Sequence, residues 1–153
     1  MSQAGYKTIF AIATPPGRSA IAVIRISGPL AGDVPALFGG ACPKAGHFSV
    51  ALLILDQRVI DQVILLVMQA PFSITGEDVC EIHCHGSRAV IDVLLARLGA
   101  EEGFAMAQPG ECTRRGFMNG NMDLSGVEGL ADLIEAETTT QLHQAWAQID
   151  GAL

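Results

Sequence analysis

Two strongly apolar stretches, Phe48 to Leu55 and Val59 to Met68, are separated by nothing more than Asp56-Gln57-Arg58. A pair of such runs joined by a short polar turn reads as a β-hairpin, and any fold for this chain has to bury one of its faces. The same region is the most apolar of the sequence, yet Asp56, Arg58 and Asp61 interrupt it. An uncharged span of about 20 residues, as a membrane helix needs, is therefore not expected here. Around the hairpin the pattern repeats on a smaller scale. Thr8 to Ala13 and Ile21 to Ser27 are short runs rich in Ile and Val, bounded by Gly or Pro and joined by Thr14-Pro-Pro-Gly-Arg-Ser19. Both read as strands. Leu30 to Phe38 reads as a short helix with Pro35 in its first turns, Asp78 to Cys84 as a strand, and Gly86 to Leu98 as a helix carrying Val90, Val93, Leu94 and Leu98 on one side. Strands, helix, hairpin, strand and helix in that order predict an α+β domain built on a mixed β-sheet with packed helices.

Composition agrees. Half of the 153 residues are hydrophobic and only 16% are charged, the reverse of a disordered chain. The length favours one domain, or one domain with a small appendage. A chain of this size buries roughly 68–70% of the surface that its unfolded form exposes. Sixteen acidic residues against nine basic ones leave a net charge of −7, which argues against a stand-alone nucleic-acid binder. The N-terminal apolar run is short and is cut off by Pro15-Pro16-Gly17, so it does not read as a signal peptide. Cys42, Cys80, Cys84 and Cys112 are accordingly expected as reduced thiols of a cytoplasmic protein.

Beyond Pro109-Gly110 the character changes. Ser125-Gly-Val-Glu128 has the form of a capping box, and Leu130, Ile134, Leu142, Ala145, Ile149 and Leu153 follow at helical spacing. One helix over 126–153 would be about 42 Å long. A body of about 120 residues has a radius of gyration of only about 14 Å. Part of the apolar stripe would then overhang. Either the helix breaks and folds back, or it packs on a second copy, or its partner helices lie beyond Leu153. The third is the favoured expectation.

The segment densest in chemistry is Cys80-Glu-Ile-His-Cys-His85, which holds every common zinc ligand. Strand alternation separates them, placing Glu81, His83 and His85 on one face and Cys80, Ile82 and Cys84 on the other. A site from His83, His85 and Glu81 alone stays open, but no second ligand cluster of zinc-finger spacing exists and no metal is expected. Glu81 interrupts an apolar strand, as Arg25 does in Ile21 to Ser27. A charge in such a strand is costly unless it is paired or faces a site, so the two either pair across the sheet or serve a ligand. Three Gly-containing loops, Pro15-Pro-Gly-Arg18, Thr75-Gly-Glu-Asp78 and Asn119-Gly-Asn121, complete the candidates. Gly-Lys occurs nowhere, so the chain has no P-loop for a nucleoside triphosphate, and there is no Gly-x-Ser-x-Gly elbow.

Six segments together resemble one family: Ala11-Ile-Ala-Thr-Pro-Pro-Gly-Arg18, Ile24-Arg-Ile-Ser-Gly-Pro29, Ser73-Ile-Thr-Gly-Glu-Asp78, Glu81-Ile-His-Cys-His-Gly86, Pro109-Gly-Glu-Cys-Thr-Arg-Arg115 and Met122-Asp-Leu-Ser125. In order and approximate spacing they are similar to the N-terminal part of the tRNA-modification GTPases of the MnmE/TrmE family. The resemblance implies a tetrahydrofolate-binding and dimerisation domain over residues 1–121, similar in fold to the folate-binding domains of aminomethyltransferases. A C-terminal helical segment, 122–153, would begin the family's helical domain, into which the GTPase domain is inserted further downstream. The implied cofactor is 5-formyl-tetrahydrofolate or another one-carbon tetrahydrofolate. The implied partners are a second copy, forming a homodimer, and, for the full-length protein, the flavoprotein MnmG and tRNA, whose wobble uridine is modified. No membrane is implied, and the chain alone is not expected to be catalytic.

Family positions associated with folate map onto Arg25, Glu81 and Asn121. A carboxylate can pair with the donor edge of a pterin, and an arginine with a folate carboxylate or carbonyl. At Asn121 the family usually has lysine, and losing that ammonium removes a contact typically worth about 1.5–3 kcal/mol. Arg114 or Arg115 could compensate. Cys112 stands for the family's usual aromatic and Ser87 for its second glycine. A structural dimerisation module without a working folate site is the alternative.

Overall fold

A computed structural model describes residues 6–151. These divide into two compact units, one comprising residues 6–73 together with 77–109, the other 74–76 together with 110–151.

The first unit is organised by a six-stranded sheet: β1 (Thr8–Ile12), β2 (Ser19–Ser27), β3 (Phe48–Leu55), β4 (Arg58–Met68), β5 (Val79–Gly86) and β6 (Phe104–Met106), in the spatial order β3-β4-β5-β2-β1-β6. Every pairing is antiparallel except β1 with β6, so the sheet is mixed and the α+β class read from the sequence holds. The expected hairpin is β3–β4, with a loop one residue tighter than the sequence suggested because Arg58 already pairs with Leu55. Its two loop residues, Asp56 (φ 49°) and Gln57 (φ 63°), both take the left-handed conformation that a two-residue hairpin turn demands.

Alternation sorts the side chains. Ile24, Ile26, Leu53, Leu65, Cys80 and Ile82 point into one core, together with Phe38 and with Leu94 and Leu98 of α2 (Arg88–Gly99). The stretch expected as one short helix is a 3-10 turn, Ala31–Asp33, followed by a single α-turn, α1 (Val34–Leu37). Pro35 sits in that first turn, where its missing N–H would have had no partner anyway. Strand β5 runs on to Gly86, past the expected end at Cys84, because Gly86 pairs with Ser19. A Cβ there would overlap the Ser19 carbonyl, so the close approach requires glycine. Strand β6 has no counterpart in the sequence reading, since three residues are too few for a period to show.

The second unit holds α3 (Glu111–Met118), α4 (Leu124–Glu135) and α5 (Thr139–Asp150). Helix α3 was not expected at all. The single long helix was, and it is overturned: the chain breaks after Glu135 and folds back, so that α4 and α5 pack on each other. Ala136 leaves the helix with an extended ψ of 125°. Thr138 then caps α5 through a full capping box with Gln141. Consecutive threonines at 138–140, stiff at χ1 and strong competitors for backbone hydrogen bonds, favour a start there over a continuation. The N-cap of α4 is likewise Asp123, whose Oδ1 accepts from the Gly126 N–H at 2.7 Å, not Ser125. At the α4–α5 contact Gly129 gives the clearance, since a Cβ on it would lie 2.8 Å from Ile149 Cγ1. Ala145 is fully buried in the same contact, and Gln148 Nε2 donates to Asp132 Oδ2 at 2.9 Å. Leu153, the last residue of the expected stripe, lies outside the described residues. No helix among the described residues is long and apolar enough to cross a membrane.

Candidate functional site

The antiparallel register of β2 and β5 places Arg25 directly opposite Glu81, on the sheet face away from the core. Arg25 Nε donates to Glu81 Oε1 at 2.8 Å. Two residues further along β5, on the same face, His83 Nε2 lies 2.8 Å from Glu81 Oε2. An ionised carboxylate can only accept, so that ring nitrogen carries the proton. Of the two readings of the strand charges, the pair across the sheet forms, and it forms around a carboxylate that is only 8% exposed. Burial alone would push the Glu81 carboxyl up. Hydrogen bonds from His83 and Arg25, and the charges of both groups, outweigh it and hold the carboxyl below the usual glutamate range.

Pairing does not exhaust these groups. A carboxylate has about four lone-pair sites, and one donor on each oxygen leaves room for two more. Arg25 bonds through Nε, and its two terminal amino groups have no partner among the described residues. Acceptors of Glu81 and donors of Arg25 thus stand side by side, a combination suited to a planar polar ligand edge. Leu66 is the register partner of Glu81 on the far side, and Phe48 the partner of Leu66. Next to this row lies a cavity of about 250 Å³ lined by Ile21, Val50, Ile64, His83 and His85 among others.

His83 is the residue whose role the sequence did not reveal, although the two-residue spacing from Glu81 carried the signal. His85 is engaged elsewhere. Its Nδ1 lies 2.7 Å from Asp61 Oδ1, and its backbone N–H donates to Asp61 Oδ2 at 2.8 Å. Against the effect of burial, those contacts and the Gln62 N–H keep the Asp61 carboxyl below its ordinary value. Cys80 and Cys84 lie on the core face, as alternation requires, and burial pushes their thiols up to about 12 and about 11. Among the described residues no three His, Cys, Asp or Glu side chains are grouped to hold a metal ion.

Asn121 belongs to the second unit. Its backbone N–H donates to the Gly116 carbonyl at 2.9 Å. It lines a cavity of about 570 Å³ with Met122, Asp123, Leu130 and Trp146. Two of the three Gly-containing loops meet in this unit: Asn119 Nδ2 donates to the Thr75 carbonyl at 2.8 Å, and Gly76, at φ 74°, passes so close that a Cβ would lie 2.9 Å from Asn119 Cβ. Of the two arginines, Arg115 lies 3.3 Å from Glu111 Oε1, and Arg114 lines the groove between α3 and α4.

Fold and cluster together define an α+β domain with a companion helical unit and a buried, ionised carboxylate held on the sheet face away from the core. A family model described as GTP-binding protein TrmE N-terminus matches residues 8–121. The chain is 48% identical, over 96% of its length, to the tRNA modification GTPase MnmE of Beijerinckia indica. It is 48% identical over 95% of its length to the MnmE protein of Caulobacter vibrioides, and 49% identical over 96% to that of Rhodopseudomonas palustris. The chain belongs to the TrmE N-terminal family. It spans about a third of the length of these relatives, 33%, 32% and 34% respectively.

Proposed function

We propose that the chain is the folate-binding and dimerising N-terminal module of a cytoplasmic GTPase that modifies the wobble uridine of tRNA. The observation that carries this reading is the Arg25–Glu81 pair: an ionised, buried carboxylate with unused acceptor capacity beside a guanidinium with unused donors. A reduced pterin presents N–H donors along one ring edge, which a fixed carboxylate receives, while Arg25 takes a carbonyl or carboxylate of the same ligand. Asn121 stands where the family has lysine and contributes a neutral amide at that position. When bound, a one-carbon tetrahydrofolate such as the 5-formyl form supplies the carbon unit; this chain's residues bind and orient it. Residues 1–121 form this module and 122–153 begin the helical domain. GTP hydrolysis, and work with MnmG and tRNA, belong to the full-length protein.

Dimerisation rests on a separate observation. Phe48, Val50, Leu52 and Ile64 lie on one face of the β3–β4 hairpin, with Phe48 69% and Val50 62% exposed. A sheet face this apolar favours burial against another protein surface, and a second copy is the simplest such surface.

Isothermal titration with 5-formyl-tetrahydrofolate tests the folate reading. The expected result is saturable binding near one per chain, weakened tenfold or more, at least about 1.4 kcal/mol, by Arg25→Ala or Glu81→Ala. Absence of binding together with a dimeric mass in solution would favour the second reading, a dimerisation module without a working folate site. The lysine-to-asparagine difference at Asn121 is the reason to keep that reading, and Asn121→Lys restoring affinity would identify its cause.

A further inference from the structure

We infer that His83 is a positioning residue for Glu81, fixing the plane of its carboxylate so that the two remaining acceptor sites meet a ligand edge together. The inference rests on the folate reading of Glu81 and goes beyond it, since His83 is not one of the positions that the family resemblance associates with folate. The last torsion of a glutamate side chain is soft and two-fold, so a single hydrogen bond leaves the carboxylate free to swing about it. Arg25 provides one donor, at Oε1, from the neighbouring strand. His83 provides the second, at Oε2, from the same strand and at the same 2.8 Å. Two donors on different oxygens define a plane, and one does not.

Backbone and burial support the arrangement. His83 is held in the middle of β5, paired to Val23 on one side and Ile64 on the other, so its Cα is fixed by two ladders. Its side chain is 32% exposed where that of Glu81 is 10%, which places the imidazole between buried carboxylate and solvent. Among the described residues no other charged side chain is bonded to Glu81: its partner on β4 is Leu66, and Asp61 is occupied by His85. Replacing the imidazole by an aliphatic group therefore removes one of two restraints without another group stepping in. A glutamine, whose amide nitrogen lies at nearly the same reach as Nε2, would restore it.

The test compares His83→Leu and His83→Gln with the parent chain, using two readouts. The first needs no folate: the titration midpoint of the Glu81 carboxyl, followed by carbon NMR. It should rise towards the ordinary glutamate range in His83→Leu and rise less in His83→Gln, which keeps the hydrogen bond but not the charge. The second is the affinity for 5-formyl-tetrahydrofolate, expected to fall about tenfold in His83→Leu, about 1.4 kcal/mol, and to return to within about threefold of the parent in His83→Gln. If the parent binds folate in a Glu81-dependent way while His83→Leu binds like the parent, His83 does not position Glu81 and the folate reading stands. If Glu81 titrates alike in all three proteins, the restraint itself is refuted. If the parent binds no folate, the folate reading falls and takes the positioning role with it. His83→Ala, tested alongside, replaces His83→Leu should the leucine disturb the fold.

Discussion

The Arg25–Glu81 pair makes a quantitative prediction. Exposed ion pairs contribute about 0.2–1 kcal/mol. Hydrogen bonds to charged groups reach about 1.5–3 kcal/mol. This pair lies between those limits, because the side chains are 25% and 10% exposed and share a single 2.8 Å contact. A double-mutant cycle of Arg25→Ala and Glu81→Ala should therefore return a coupling free energy of about 1–2 kcal/mol. The single substitution Arg25→Ala should be the more damaging one, since it leaves a buried carboxylate with only His83 to satisfy it. The assay has to follow the right part of the molecule. Trp146, the only tryptophan, is in the helical unit, so its fluorescence would report on that unit. Native-state hydrogen exchange of the β2 and β5 amides reports on the sheet directly. Effects that simply add, within about 0.3–0.5 kcal/mol, would refute the claim that the two charges depend on each other.

Other consequences are as direct. Glu81 and Asp61 are both held below their ordinary values, so each contributes stability that is intact above the usual carboxylate range of about 4 and lost as pH falls through the lowered one. Acid unfolding of the sheet unit should show this loss and Glu81→Gln should reduce it, whereas a parent chain indifferent to acid would contradict it. Gly86→Ala should destabilise by about 1–3 kcal/mol, because the added methyl meets the Ser19 carbonyl as well as its hydroxyl, and only the hydroxyl can turn away. A melting temperature equal to the parent's would show that the β2–β5 contact yields freely. Alkylation under native conditions should label exposed Cys42 well before Cys80 and Cys84, whose buried thiols ionise only near 12 and 11. Equal labelling rates, read by mass spectrometry, would mean that the core opens readily.

Much of the sheet was legible because its strands announce themselves by branched residues between Gly and Pro, as in Ile21 to Ser27, and because the β3–β4 turn is so short. Glu81 and Arg25 stood out for the same reason: a charge in an apolar strand needs an explanation. What the sequence hid was which strands adjoin. Residues 25 and 81 are far apart in the chain, and only the β2–β5 register sets them face to face. The long-helix expectation failed at a local signal that was present. Thr138-x-x-Gln141 is itself a capping pattern, but the apolar spacing on either side obscured the break. Helix α3 was missed because Glu111 to Met118, with a glycine and two adjacent arginines, has no apolar stripe to read. Strand β6 is too short for any periodic pattern.

The central claim is that a reduced folate is received at Glu81 and its neighbours on β2 and β5. Its most direct test is to titrate the isotope-labelled chain with 5-formyl-tetrahydrofolate and map the shifted NMR resonances. The Glu81 carboxyl, the Arg25 guanidinium and the His83 ring should move first and saturate together. Saturable shifts that leave those three groups unmoved would place the ligand elsewhere and contradict the assignment.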